Sequence, residues 1–158
     1  EKTDMGELTQ GVIKKYQRES LQRNIKILAD EAQAGVYFVS GDKNRLETAI
    51  TNYIDNSIKY SPNNGQIEVS LHQDKYTLWF SIKDNGVGVS PESVEELFTK
   101  FFRDKRAKAV HTEGTGVGLF IVKNIIEKHG GKVGYDPIKK GGSLFYFTLP
   151  VYKEKEVK

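Results

Sequence analysis

The sequence predicts an α/β domain in which helices cover one face of a sheet. Two observations lead there. Stretches with 3.6-residue apolar periodicity are interspersed with segments that alternate apolar and polar residues at period two. Their order mixes helices with hairpins rather than alternating strand and helix strictly. At 158 residues, 37% of them hydrophobic, the chain suits one domain with one packed core.

The first element is a helix over Met5–Ser20, where Leu8, Val12 and Tyr16 recur at helical spacing. Two short strands follow, Asn24–Ala29 and Val36–Ser40. A long helix runs from Lys43 to Tyr60, opened by Asp42 as N-cap and closed before Pro62. Ile67, Val69 and Leu71 then share one strand face. Leu78, Phe80 and Ile82 share another, across a turn near Asp74-Lys75. Ser90-Pro91-Glu92 opens a short helix, with Pro and acids in its first turn. Phe101–Thr115 is polar, basic and aperiodic, and reads as a loop. Val117–His129 is helical and stops at Gly130-Gly131. Lys132–Tyr135 and Ser143–Leu149 close the chain as strands, and Lys153–Lys158 reads as a solvated tail.

Composition excludes several functions. There is no cysteine, so disulfides and thiolate metal sites are ruled out, and three scattered histidines do not favour structural zinc. A net charge of +3, with acids interleaved among the bases, gives no nucleic-acid footprint. No apolar run approaches the roughly 20 residues needed to cross a bilayer, and no signal peptide is visible. The chain starts at Glu1 rather than Met. It therefore reads as an excised fragment, and a membrane span elsewhere in the parent is compatible with it.

Three features carry chemistry. On the long helix, at roughly 100° per residue, Asn52, Asp55, Asn56 and Lys59 share one arc, opposite Leu46, Ile50, Tyr53, Ile54 and Ser57. A solvated polar face is the ordinary explanation. Two asparagines in a helix interior, each costing about 0.5 kcal/mol relative to Ala, speak for a face turned into a pocket. Amide oxygen suits a hard cation such as Mg²⁺, and a lysine one turn on suits phosphate. Next, Asp84 has the parity of Leu78, Phe80 and Ile82, so its carboxylate points inward and needs donors. An adenine amino group is one, whereas guanine offers an oxygen there. The alternative is a plain strand-end turn, since Asp84-Asn85-Gly86 is a strong turn sequence. Last, Gly114-Thr115-Gly116-Val117-Gly118-Leu119 leads into an apolar helix, as anion-holding loops do. Its spacing differs from the dinucleotide and P-loop patterns, and a flexible linker is the simple alternative.

Four blocks in one order bear a family resemblance. Asn52–Ser61 resembles the N box of sensor histidine kinases. Asp84–Gly88 resembles their first glycine box, Leu97–Arg103 their F box, and Gly114–Leu119 their second glycine box. Gly141–Pro150 resembles the closing strand. The likeness runs from Asp42 to Pro150. It implies a two-layer α/β sandwich, with helices on one face of a mixed, mostly antiparallel sheet. This is the Bergerat-type fold shared with gyrase-type ATPases and the mismatch-repair protein MutL.

Carried over by position, the resemblance implies ATP and Mg²⁺ as ligands. Asp84 would accept from the adenine amino group, with Gly86 and Gly88 allowing close approach to the base. Asn56 would coordinate Mg²⁺ and Asn52 would lie beside the phosphates. Lys59 and Tyr60 would contact the phosphate chain. Gly114, Thr115, Gly116, Val117, Gly118 and Leu119 would wrap it. Phe102–Glu113 would be a lid, with Phe102 at its start and Arg103 reaching a phosphate. Asn52, Asn56, Lys59 and Arg103 would be the catalytic set.

The family's phosphoacceptor motif, a His followed by an acid and then a Pro in a helical hairpin, is absent. His72 falls in a strand, His111 in the lid and His129 at a helix end. The implied division is a helical segment 1–20 that continues from a missing dimerisation and phosphoacceptor hairpin and packs on the domain, an ATP-binding catalytic domain 21–152 and a disordered tail 153–158. The implied partners are the parent's own dimerisation and phosphoacceptor domain and a response regulator, with a homodimeric parent and no nucleic acid. The domain would be cytoplasmic and would not touch a membrane itself, even where the parent is anchored in an inner membrane. An ATPase of the same fold, a Ser/Thr kinase of the same fold and a nucleotide-free interaction module are the competing readings. The ATPases carry a water-activating Glu where this chain has Asn52.

Overall fold

The computed structural model describes residues 1–105, 108 and 116–156. Its frame is a five-stranded sheet in the order β2 (Lys26–Glu31), β4 (Gln66–Gln73), β5 (Thr77–Asp84), β7 (Ser143–Pro150), β6 (Val133–Pro137). β2 runs parallel to β4 and every other pairing is antiparallel. Three helices, α1 (Met5–Gln22), α2 (Lys43–Tyr60) and α3 (Gly118–Lys128), cover one face. The alternation predicted for the central strands is met. Ile67, Val69 and Leu71 are buried with Leu78, Phe80, Ile82 and Asp84, and with Phe145, Phe147 and Leu149 from β7.

α2 is the helix that positions the site. The Asp42 carboxylate accepts from the N–H groups of Asn44 and Arg45, satisfying two of the donors a helix start leaves open. Leu46, Ala49, Ile50, Tyr53, Ile54, Ser57 and Ile58 are buried. Tyr53 is the anchor: its ring lies 5.7 Å from Phe145 and 5.8 Å from Phe147, and its hydroxyl donates to the Tyr146 carbonyl at 2.9 Å. One face of α2 is thereby pinned to β7, and the opposite face is left at a set height above the sheet.

The chain start differs from the expected helical segment. Lys2–Asp4 forms a strand, β1, antiparallel to β3 (Phe38–Ser40). The pairing satisfies its backbone, the Lys2 ammonium lies over the rings of Phe38 and Tyr152, and Asp4 then caps α1 by accepting from Glu7 N–H. α1 contributes Met5, Leu8 and Val12 to the common core, so it packs as part of the domain. The turn at Ser90-Pro91 opens a short 3-10 helix, Pro91–Glu96. His129 caps α3 and also bridges: Nδ1 lies 2.7 Å from the Ile125 carbonyl while Nε2 accepts from Asp42 N–H at 3.1 Å. The ring thereby ties the end of α3 to the start of α2.

The far end of α2 is held by Arg23, just past α1. Its guanidinium donates to the carbonyls of Ile58 and Ser61, and Nε donates to Asn63 Oδ1 at 3.0 Å. A cation here meets both the open carbonyls and the negative end of the helix dipole. Arg23→Ala should lower stability by about 2 kcal/mol, the worth of one to two charged hydrogen bonds. Urea unfolding checks it; a midpoint unchanged from the parent chain would mean water replaces the guanidinium without loss.

Candidate functional site: a nucleotide-sized cavity beside the long helix

Between the exposed arc of α2, the C-terminal end of β5 and the start of α3 lies a cavity of about 520 Å³. Asn52, Asn56, Lys59 and Tyr60 line it from α2 and Asp84 from the end of β5. Gly88, Phe102 and Arg103 line it from the loops, and Gly116, Val117, Gly118 and Leu119 from the start of α3. Residues separated by more than sixty positions in sequence are thus brought to one space. Gly114 and Thr115, with most of Phe102–Glu113, lie outside the described residues.

At one end is Asp84, 6% exposed. Its Oδ2 accepts from the Ser57 hydroxyl at 3.2 Å and its Oδ1 from Gly86 N–H at 2.9 Å. Burial pushes the carboxyl up to about 6, against the pull of the Gly86 N–H, the Ser57 hydroxyl and the Ser143 N–H. The donors present do not fully replace water, and the carboxylate can take another.

Gly86 does not line this cavity but a smaller neighbouring one. A Cβ there would fall 2.3 Å from the Tyr60 carbonyl oxygen. The glycine is needed so that the turn can pass the end of α2 and aim its N–H at Asp84, which is a different reason from approach to a base.

At the other end are amides and an ammonium. Asn52 Nδ2 donates to the Thr48 carbonyl at 2.9 Å, leaving its oxygen toward Gly118. The Asn56 side chain makes no hydrogen bond among the described residues, so its amide oxygen is available to the cavity it lines. Lys59 pairs with Asp55 at 2.8 Å, and that hydrogen bond holds its ammonium above the ordinary lysine range. Arg103 donates to the Tyr60 hydroxyl at 3.4 Å. No group of three His, Cys, Asp or Glu side chains could hold a metal among the described residues. An open amide oxygen beside ammonium and guanidinium groups fits a Mg²⁺ ion that arrives on phosphates and takes one protein ligand.

The apolar walls come from Leu97, Val89, Ile121 and Phe145. Phe101 N–H donates to the Gly116 carbonyl at 2.8 Å, which ties the chain after the short 3-10 helix to the start of α3. Gly116 has φ +69, and a Cβ there would lie 2.7 Å from the Phe101 carbonyl carbon, so only glycine fits.

Sequence reasoning passed over several of these residues. Ser57 was legible as a lone hydroxyl on the apolar stripe of α2, a signal of a buried acceptor nearby. Asp104, buried and accepting from Ser90 N–H at 3.3 Å, stands out only as the acid in a basic stretch. His72 lies on β4 with its ring 5.7 Å from Trp79, and His111 lies outside the described residues.

Fold and cavity together define an ATP-binding domain of the two-layer kind. Residues 41–153 match the family described as histidine kinase-, DNA gyrase B-, and HSP90-like ATPase, and the chain belongs to it. Within that family its relatives are sensor histidine kinases. It is 36% identical over 150 residues to the adaptive-response sensory kinase SasA of Synechocystis, covering 94% of this chain and 38% of that protein. It is 35% identical over 121 residues to the sensor histidine kinase WalK of Bacillus subtilis, covering 75% and 20%. The chain thus spans well under half the length of either relative. The solved mycobacterial sensor histidine kinase MprB superposes with a TM-score of 0.87 at 30% identity, covering 98% of this chain and 100% of that one. The catalytic domain of the histidine kinase ThkA does so with a TM-score of 0.79 at 26% identity, covering 95% and 97%. The chain is a histidine-kinase ATPase domain.

The raised Asp84 sets a stability prediction. Between about pH 4 and pH 6 the folded chain keeps a proton that the unfolded chain releases. The Asp84 contribution to stability therefore falls as pH rises through that window, and the full cost stands above it. A carboxyl moved from 3.8 to about 6 costs roughly 3 kcal/mol at neutral pH. Asp84→Asn should stabilise the ligand-free chain by roughly 1–3 kcal/mol at pH 7 and by little at pH 4. Urea titrations at the two pH values check this; a variant less stable than the parent at pH 7 contradicts it.

Proposed function

We propose that this domain binds Mg·ATP and donates its γ-phosphoryl group to a histidine on a separate domain of a two-component sensor kinase. The observation that carries the reading is one cavity with a buried carboxylate short of donors at one end. At its other end stand an open amide oxygen, an ammonium and a guanidinium. The first end suits the amino group of adenine and the second suits a metal-bound phosphate chain.

Each residue then has a task. Asp84 accepts from the base. Asn56 offers its oxygen to Mg²⁺, with Asn52 beside the phosphates. Lys59, Tyr60 and Arg103 meet the phosphate chain, and Gly116, Val117, Gly118 and Leu119 wrap it from the start of α3. The metal, when bound, neutralises charge developing on the phosphoryl oxygens. What the chain itself supplies is orientation, charge and exclusion of water.

Two observations support transfer over hydrolysis. Position 52 is an amide, which cannot take a proton from water. Neither described histidine lies in an acceptor motif: His72 packs on Trp79, and both ring nitrogens of His129 are engaged. The acceptor is then the parent's dimerisation hairpin, in a homodimer, with a response regulator downstream. On this reading residues 1–20 lead in from that hairpin and pack on the ATP-binding domain, 21–152, and 153–158 are the tail. The location is cytoplasmic. No helix among the described residues is long and apolar enough to cross a membrane.

The test is transfer of label from γ-labelled ATP. The chain alone should keep the label on the nucleotide, because general-base help worth roughly 10²–10⁴-fold is missing. Adding a His-bearing helical hairpin should move the label to imidazole, and excess unlabelled GTP should not compete. Rapid phosphate release by the chain alone would point to a hydrolase, and competition by GTP would remove Asp84 from base selection.

A further inference from the structure

Tyr16 belongs to α1 and does not line the cavity, yet it is wired to it. Its hydroxyl donates to Asp55 Oδ1 at 3.2 Å, between residues 39 positions apart. The other oxygen of that carboxylate, Oδ2, accepts from Lys59 Nζ at 2.8 Å. Asp55 and Lys59 stand one turn apart on α2, and both line the cavity. Burial first, and then the Asp55 carboxylate, push the Tyr16 phenol up to about 12, so it remains a donor across the working range of a cell.

On its own, the Asp55–Lys59 pair would do little. The two side chains are 31% and 41% exposed. An exposed i,i+4 pair is weak, and its long side chains exchange among several geometries. A third group on another helix changes this. Tyr16 packs against the core and has only two side-chain torsions to fix, so its hydroxyl holds one carboxylate oxygen while the other faces Lys59. The carboxylate, balanced by two donors, then serves as a bracket that determines where the Lys59 ammonium stands.

We propose that Tyr16 is a positioning residue for the phosphate end of the site: from outside the cavity it holds Asp55, and through Asp55 it keeps Lys59 directed at the phosphates of a bound nucleotide. The proposal rests on the reading of the cavity given above. It makes α1 part of the nucleotide-binding machinery, where its apolar spacing alone marks it as core. It also gives α1 and the nucleotide a reciprocal coupling, because whatever draws Lys59 forward alters the load on the Tyr16 hydrogen bond.

Tyr16→Phe removes the hydroxyl and keeps the ring. Calorimetry on the whole chain would compare adenosine, which lacks phosphates, with Mg·ADP. Adenosine affinity should be unchanged, and Mg·ADP affinity should fall by about three- to tenfold. In a Lys59→Met background the same substitution should have no further effect on Mg·ADP. A loss shared equally by adenosine and Mg·ADP, or one that persists in Lys59→Met, would mean that Tyr16 supports only the fold, and would overturn the inference. So would an unchanged ratio of the two affinities. If the parent chain binds neither ligand, the reading of the cavity falls and the inference with it. Binding by the parent with no response to Tyr16→Phe overturns the inference alone.

Discussion

The structure is organised around a carboxylate taken out of water without a full set of donors. Asp84 sits at the C-terminal end of β5, facing the core side of the sheet, and its donors come from different elements: Ser57 on α2, Gly86 in the turn and Ser143 at the start of β7. Such a group is expensive unless its surroundings are fixed. The turn must pass close enough to α2 for the Gly86 N–H to reach, which forbids a Cβ at that position. The helix must present a small hydroxyl rather than another aliphatic group at position 57. The spacing between sheet and helix, and so the width of the cavity, follows from this one demand.

The remainder of the fold keeps α2 where that demand needs it. Tyr53 pins its inner face to β7, Asp42 and His129 hold its start, and Arg23 holds its end. None of these residues lines the cavity, yet together they place Asn52, Asn56 and Lys59 on a rigid support rather than on a loop. Placement of this kind allows charge neutralisation without reorganisation when ligand arrives. The destabilisation at Asp84 is the counterpart of that arrangement: a ligand donor would relieve it, so binding energy and fold stability are linked at one atom pair.

Local signals were readable in the sequence and distant pairings were not. α2 was legible end to end because its cap, its period and its terminating Pro62 all lie within the segment. The inward aim of Asp84 followed from strand parity, which depends only on the backbone. By contrast, β1 exists because Phe38–Ser40 is there to pair with it, and nothing in Lys2-Thr3-Asp4 announces a strand. The parallel pairing of β2 with β4 likewise has no local mark. Glycines were legible as sites of close approach, but not what they approach: Gly86 meets the Tyr60 carbonyl, and Gly116 meets Phe101. Tyr16 reads as a core residue from its spacing, and its link to Asp55 appears only when α1 is laid beside α2.

If Asp84 is the acceptor for the base, ligand binding must ionise it. Calorimetry of adenosine binding at pH 6, repeated in buffers of different ionisation enthalpy, counts the protons released. With a folded value of about 6, binding should release about half a proton at that pH and almost none at pH 8. Adenosine bound with no proton release at pH 6 would show that the base does not engage this carboxylate, and would contradict the account.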